Sequence, residues 1–201
     1  MLFEQRCESC GGGDERRPLC ESCTARLRSA MLPAPVRLHG VEIHAATIYD
    51  GVARNLVLVL KRRRSVATAG ILGGLVVERL DIPEVDVVTW APTSGRHVRE
   101  RGHDQARLLA SVVAHRLGVR PRRCLRRQGE GAQTGSSRRV RLSGPTFTAS
   151  PFVVGRRILV IDDVVTTGAT LSVAHRCLTD RGASFVACVA VAATPEPTVI
   201  R

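Results

Sequence analysis

Several things are scarce in this 201-residue chain, and each scarcity closes a door. Aromatic residues make up only 3%, with one Trp, one Tyr and four Phe, so the stacking platforms on which single-stranded nucleic acids lie are missing. No apolar run approaches the roughly 20 residues that span a bilayer, which excludes a transmembrane protein. The first dozen residues hold no apolar signal core, so the expected location is the cytoplasm. No Gly-Lys-Ser/Thr loop and no GxGxxG turn is present, which removes the P-loop and the dinucleotide fold. There is no internal repeat and no heptad pattern. Lysine is almost absent: of 30 basic residues, Lys61 is the one lysine. Acids are outnumbered, 18 against 30, leaving a formal charge of +12. A polyanionic or phosphorylated partner fits that excess, although an Arg-for-Lys bias also follows from a GC-rich genome. Mean hydropathy is +0.02 and hydrophobic residues are 44%, enough for a core at this length.

Seven cysteines fall into two groups. Cys124, Cys177 and Cys188 are scattered and read as ordinary core or surface thiols. Cys7, Cys10, Cys20 and Cys23 form two CxxC turns nine residues apart. Two such turns can aim four thiolates at one point, and a four-cysteine set with no open position is a structural Zn²⁺ site. So short a head cannot build its own core, and metal would supply its folding energy. The alternative is a degenerate head with free thiols. We therefore expect a zinc-ribbon-like module over 1–30, a Pro-stiffened linker over 31–37, and one larger domain over 31–201.

That domain reads as α/β. Residues 41–49 alternate like a strand, and 52–61 and 66–80 have helical spacing. Gly70, Gly73 and Gly74 weaken the second helix but permit close packing. Residues 85–90 form a short buried strand, 104–117 a helix, 157–161 a strand, 171–180 a helix and 183–192 a strand. Strands alternating with helices predict a mostly parallel sheet with helices on both faces. Between them lie two basic stretches. The loop after the 85–90 strand carries Ser94, Gly95, Arg96, Arg99 and Arg101, a flexible, donor-rich turn suited to pyrophosphate; the bland reading is a solvated basic turn. Residues 120–146 hold eight arginines against one acid, Glu130, and read as a long mobile loop.

The most informative stretch is 158–171, ILVIDDVVTTGATL. A hydrophobic strand ends in Asp162 and Asp163, and a small-residue turn then opens a helix. Ligands of open α/β sheets bind beyond the carboxyl ends of the strands, and helix N-termini hold phosphates. Gly168 admits a positive φ and close backbone approach. Thr166, Thr167 and Thr170 add hydroxyl donors, and the acids suit sugar hydroxyls or Mg²⁺. The bland alternative is a strand–turn–helix whose acids only cap the helix.

VIDDVVTTGATL resembles the phosphoribosyl-pyrophosphate (PRPP) signature of type I phosphoribosyltransferases. TWAPTSGRHVRERGHDQARLLA (89–110), QTGSSRRVR (133–141), YDGVARNLVLVLKRRR (49–64) and the four-cysteine head are similar to the ComF/GntX-like branch of that fold. The resemblance implies that Asp162 and Asp163 hold the ribose hydroxyls. It assigns the 5′-phosphate to Thr166, Thr167, Gly168, Ala169 and Thr170. The 94–101 turn would meet the pyrophosphate, and a flexible loop bearing Arg126, Gln133 and Arg141 would close over the substrate. It further implies phosphoribosyl transfer from Mg²⁺–PRPP to an unidentified acceptor. An alternative from the same branch is a non-enzymatic competence protein that binds single-stranded DNA or a DNA-uptake helicase. The branch usually reads Arg-Gly-Phe-Asn-Gln where this chain has Arg101-Gly102-His103-Asp104-Gln105, which places an acid close to the expected polyphosphate.

Overall fold

The computed structural model describes residues 6–12, 17–128 and 145–195, with the side chains of Arg96 and His97 left aside. A six-stranded sheet has the order β1-β2-β8-β7-β3-β4. Its strands are β1 (Val36–Leu38), β2 (Val41–Ile48), β3 (Val87–Trp90), β4 (Arg120–Pro121), β7 (Arg157–Val165) and β8 (Phe185–Ala193). Only the β1–β2 pair is antiparallel; β2, β8, β7, β3 and β4 run parallel. β7 is central, and its residues 158–161 are fully buried, as a parallel strand covered on both faces requires.

Strand parity sorts the core. Leu159 and Ile161 of β7, Val88 of β3 and Val191 of β8 face α2 (Gly51–Arg62), α3 (Val66–Arg79) and α5 (Gln105–Arg116). Ile158, Val160, Val87 and Ala190 face α6 (Ala169–Asp180) and the antiparallel pair β5 (Leu125–Gln128) and β6 (Thr146–Ala149). The expected α/β architecture, with helices on both faces, is what forms. Each helix on the first face starts at a side-chain cap: Asp50 for α2, Ser65 for α3 and Asp104 for α5. Gly73 and Gly74 let α3 and α5 touch: a Cβ at Gly73 would lie 2.7 Å from Val112 Cγ1.

The structure departs from the sequence reading at five places. Residues 36–38 of the expected linker form β1, because Val36–Leu38 fold back on β2 across the turn at His39–Gly40. The basic turn after β3 is a short helix, α4 (Gly95–Arg101). Asp162 and Asp163 are not loop residues: β7 runs on to Val165 because Ala190–Ala193 of β8 stays alongside it. The Arg-rich stretch is not loop throughout, since β4 and β5 lie in it; Arg126 is on β5, paired with Thr148. Gln133 and Arg141 lie outside the described residues. In the head, Cys20 caps a helix, α1 (Glu21–Ser29), an element the sequence reading did not assign.

Candidate functional site

At the carboxyl edge of the sheet β3 stops first, beside Ile161, and β7 runs on to Val165. Trp90 pairs with Ile161, and Ala91 N–H donates to the Ile161 carbonyl at 3.1 Å. The chains then diverge, β3 into α4 and α5, β7 into α6. This is the crevice that open α/β sheets use for ligands.

Asp162 and Asp163 stand at that edge but point to opposite faces, as neighbours in a strand must. Asp162 is half-buried and lines a small hollow of about 40 Å³ with Thr166, Thr167, Gly168, Ala169 and Thr170. Gly168 is the N-cap of α6 at φ 80°, a left-handed conformation. A Cβ there would lie 2.9 Å from Ile43 Cδ1 and 3.2 Å from Val36 Cγ1, so glycine is required twice over. The first-turn N–H groups of a helix have no carbonyl partner within it, which makes such a terminus a seat for an anion. Desolvation pushes the Asp162 carboxyl well above its ordinary pKa, and the Asp163 charge pushes the same way; the Asp163 N–H, donating to Asp162 Oδ1 at 2.8 Å, and Lys61 oppose them.

Asp163 faces the interior. Its side chain is only 8% exposed, with Oδ2 3.3 Å from Lys61 Nζ and 3.1 Å from Gln105 Nε2. Oδ1 accepts the Val164 N–H at 2.7 Å. Lys61 and Gln105 are therefore part of the site, and the sequence reading missed both. The signal for Lys61 was its being the one lysine in an arginine chain. Nothing in local spacing marked Gln105, which is itself buried.

Beyond α4 opens a larger cleft of about 1540 Å³. Six arginines line it: Arg64, Arg99, Arg107, Arg122, Arg123 and Arg127. Gly95 also lines it; Ser94 and Arg101 are not among its walls. Arg126 is exposed on β5 and is likewise not a lining residue. The acid lining the cleft is Asp104, and its charge is already engaged. It accepts from the Trp90 indole N–H at 3.0 Å, the Thr93 hydroxyl at 3.2 Å and the Ala106 N–H at 3.2 Å. The neighbouring His103 sits between two carbonyls, with Nε2 2.7 Å from Leu60 O and Nδ1 2.9 Å from Arg101 O. Both departures from the branch pattern thus have structural work: Asp104 caps α5 and ties it to β3, and His103 ties the end of α4 to the end of α2.

At the opposite end of the chain, the sulfur atoms of Cys7, Cys10, Cys20 and Cys23 lie within 4.8 Å of one another, and Cys10 and Cys20 are 3.9 Å apart. A tetrahedral zinc–thiolate centre has sulfur–sulfur edges of roughly 3.8 Å, so the set fits Zn²⁺. Burial raises the Cys7 thiol, but hydrogen bonds from the Cys10, Cys20 and Ser9 segment outweigh it and bring it down to about 6. Cys23 is pushed up to about 12, chiefly by burial. Cys7, Leu19, Cys23 and Leu27 join the same apolar cluster as α2 and α3, so the head shares a core with the larger domain. Cys124 and Cys188 are buried and Cys177 half-buried, as ordinary thiols.

Residues 104–199 match the family model described as the phosphoribosyl transferase domain. The matched segment, just under half of the chain, is similar to that domain. The match takes in α5, β7, the Thr/Gly turn and β8. Among solved structures, the chain is similar to an allosteric regulatory enzyme of purine biosynthesis, at 23% identity over 66% of this chain and 26% of that one, with a TM-score of 0.47. It is similar to glutamine PRPP amidotransferase from B. subtilis, at 22% identity over 64% of this chain and 25% of that one, TM-score 0.45. It is also similar to orotate phosphoribosyltransferase from Mycobacterium tuberculosis, at 20% identity over 85% and 81% of the two chains, TM-score 0.40. The chain spans about a quarter of the length of the first two. No match was found among curated proteins. Among the described residues no helix is long and apolar enough to cross a membrane.

Proposed function

We propose that this protein binds Mg²⁺–PRPP and transfers its phosphoribosyl group to an acceptor, with release of pyrophosphate. One observation carries the reading. A strand-end carboxylate, Asp162, and the Thr166–Thr170 turn surround one hollow at the N-terminus of α6, on the ligand edge of a phosphoribosyltransferase-type domain.

In this reading the turn holds the 5′-phosphate through backbone N–H groups and the threonine hydroxyls. Asp162 accepts hydrogen bonds from the ribose hydroxyls. Asp163, held by Lys61 and Gln105, sets the direction of the strand end on which Asp162 stands. Arg99 and the other cleft arginines face the pyrophosphate as its bond to the ribose C1 breaks and the acceptor's bond to C1 forms. Gln133 and Arg141, outside the described residues, are the loop residues expected to keep water from the cationic sugar; Arg126, held on β5 away from the cleft lining, is not. Mg²⁺ fits the donor set, because Asp162 and the hydroxyls are hard oxygen ligands and Asp162 is a desolvated acid beside a second acid. When bound, Mg²⁺ supplies positive charge to the departing pyrophosphate.

The cysteine head is read as a structural zinc site, with no open position for chemistry. The six-arginine cleft favours a second reading, in which a DNA phosphate backbone occupies it. Such binding would weaken steeply with salt. Titration of PRPP with and without Mg²⁺, beside titration of an oligonucleotide at two salt concentrations, separates the two.

A further inference from the structure

The last turn of α2 holds contacts in three directions. The Leu60 carbonyl lies 2.7 Å from His103 Nε2, at the end of the 95–103 segment. Lys61 Nζ lies 3.3 Å from Asp163 Oδ2, at the ligand edge of β7. The Arg63 guanidinium lies 2.5 Å from Glu8 Oε2, in the cysteine head. Glu8 then accepts from two hydroxyls at the start of α3, Ser65 at 3.4 Å and Thr68 at 3.2 Å. Its side chain is only 16% exposed. Ser9 adds a contact to the middle of α2, accepting from Asn55 Nδ2 at 3.3 Å through its carbonyl.

The charges explain why these contacts matter. Residues 61–64 read Lys-Arg-Arg-Arg, four cations in succession. The acids that meet this run are Asp163 from the site and Glu8 from the head. Glu8 directly follows a metal-type ligand, Cys7, in a loop held by Cys7 N–H to Gly12 O at 3.1 Å and Glu8 N–H to Pro18 O at 2.8 Å. A four-cysteine loop gains most of its order from its metal, so the position of Glu8 depends on the state of the cluster.

We propose that the end of α2 couples the cysteine head to the ligand site: Lys61 is a positioning residue for the 162–170 turn, Glu8 supports it from the head, and a metal in the head strengthens ligand binding without touching the ligand, on the order of tenfold. The proposal deepens the phosphoribosyl reading and rests on it for its ligand. The metal acts only by ordering the loop that carries Glu8.

The test uses the full-length protein. Glu8→Ala and Glu8→Gln leave all four thiols in place and should keep the wild-type zinc content. Both should weaken Mg²⁺–PRPP binding about tenfold by calorimetry, and speed amide exchange over 60–65 and 101–105. Lys61→Met should weaken binding to a similar degree, Lys61→Arg should recover part of it, and Glu8→Ala with Lys61→Met should lose little more than either alone. Wild-type affinity and protection in the Glu8 variants would overturn the proposal, as would losses that simply multiply in the double variant. Arg63→Ala, which removes the same contact from the other side, guards against a head that misfolds on its own. Should wild-type protein bind no PRPP, the phosphoribosyl reading fails by itself. Exchange over 101–105 and 161–170, compared between zinc-loaded and zinc-stripped protein, then decides the coupling: faster exchange after stripping supports it, and unchanged exchange refutes it.

Discussion

The two faces of the β7 carboxyl end make opposite use of adjacent aspartates. On the α6 face, Asp162 borders a hollow rimmed by hydroxyls and a helix N-terminus, and burial strains its charge. On the α5 face, Asp163 is enclosed by Lys61, Gln105 and a backbone N–H. One acid is met by a single backbone N–H, and the other by a lysine and an amide as well. A pair of identical residues is thus two devices, separated by nothing more than the pleat of a strand. In the proposed reading the strained acid meets the ligand and the satisfied one holds the strand end in place.

Breaking each side should give different failures. The largest effect is expected on the ligand face: Asp162→Asn should lower Mg²⁺–PRPP affinity at least about a hundredfold, since two charge-assisted hydrogen bonds are each worth roughly 1.5–3 kcal/mol. The same variant should melt higher than wild type at neutral pH. The folded-state pKa of Asp162 lies above its ordinary value, so the fold is favoured while the carboxyl is protonated and loses that advantage as pH rises through the folded pKa. The gain from Asn should therefore vanish in acid, below the ordinary carboxylate pKa. A variant that melts lower at neutral pH would contradict the strain. On the enclosed face, Asp163→Ala should instead destabilise by about 2–3 kcal/mol in denaturant melts, less than a wholly buried pair because Lys61 is 25% exposed.

Gly168→Ala tests the turn between the two. A left-handed residue costs roughly 1–2 kcal/mol, and the Cβ meets Ile43 as well, so thermal melts should show loss of stability together with loss of ligand binding. Purified protein should carry about one zinc per chain, and a chelator should lower its Tm; a fully folded, metal-free protein would remove the zinc reading. The smallest effect is expected in the open cleft. Arg99→Ala should weaken PRPP binding about three- to tenfold, and the deficit should shrink as salt rises, because exposed charges are screened.

How far the sequence disclosed this arrangement depended on the distance over which each feature is encoded. α2 and α5 were legible from apolar spacing, β7 from its unbroken ILVI run, and the hollow from the order strand, acids, Thr-Thr-Gly, helix. Their determinants lie within one turn or one strand of each other. α4 was not legible, because Gly95 and its arginines present no apolar stripe. β5 was hidden for a similar reason: in Leu125–Gln128 only Leu125 is apolar and buried, and the partner Thr146–Ala149 is some twenty residues on. β1 was masked by Pro33 and Pro35, which made its neighbourhood look like a linker. The partners of Asp163 were least accessible of all. Lys61 and Gln105 lie 102 and 58 positions away, and only the fold brings them to one carboxylate. His103 and Asp104 could be marked as departures from a pattern, but their roles depend on Leu60, Trp90 and Thr93.

The measurement that bears most directly on the account is calorimetric titration of PRPP into the full-length protein, with and without Mg²⁺. Saturable binding that requires Mg²⁺, and that disappears in Asp162→Asn, is the predicted result. No binding at millimolar PRPP, or binding that Asp162→Asn leaves unchanged, would contradict it.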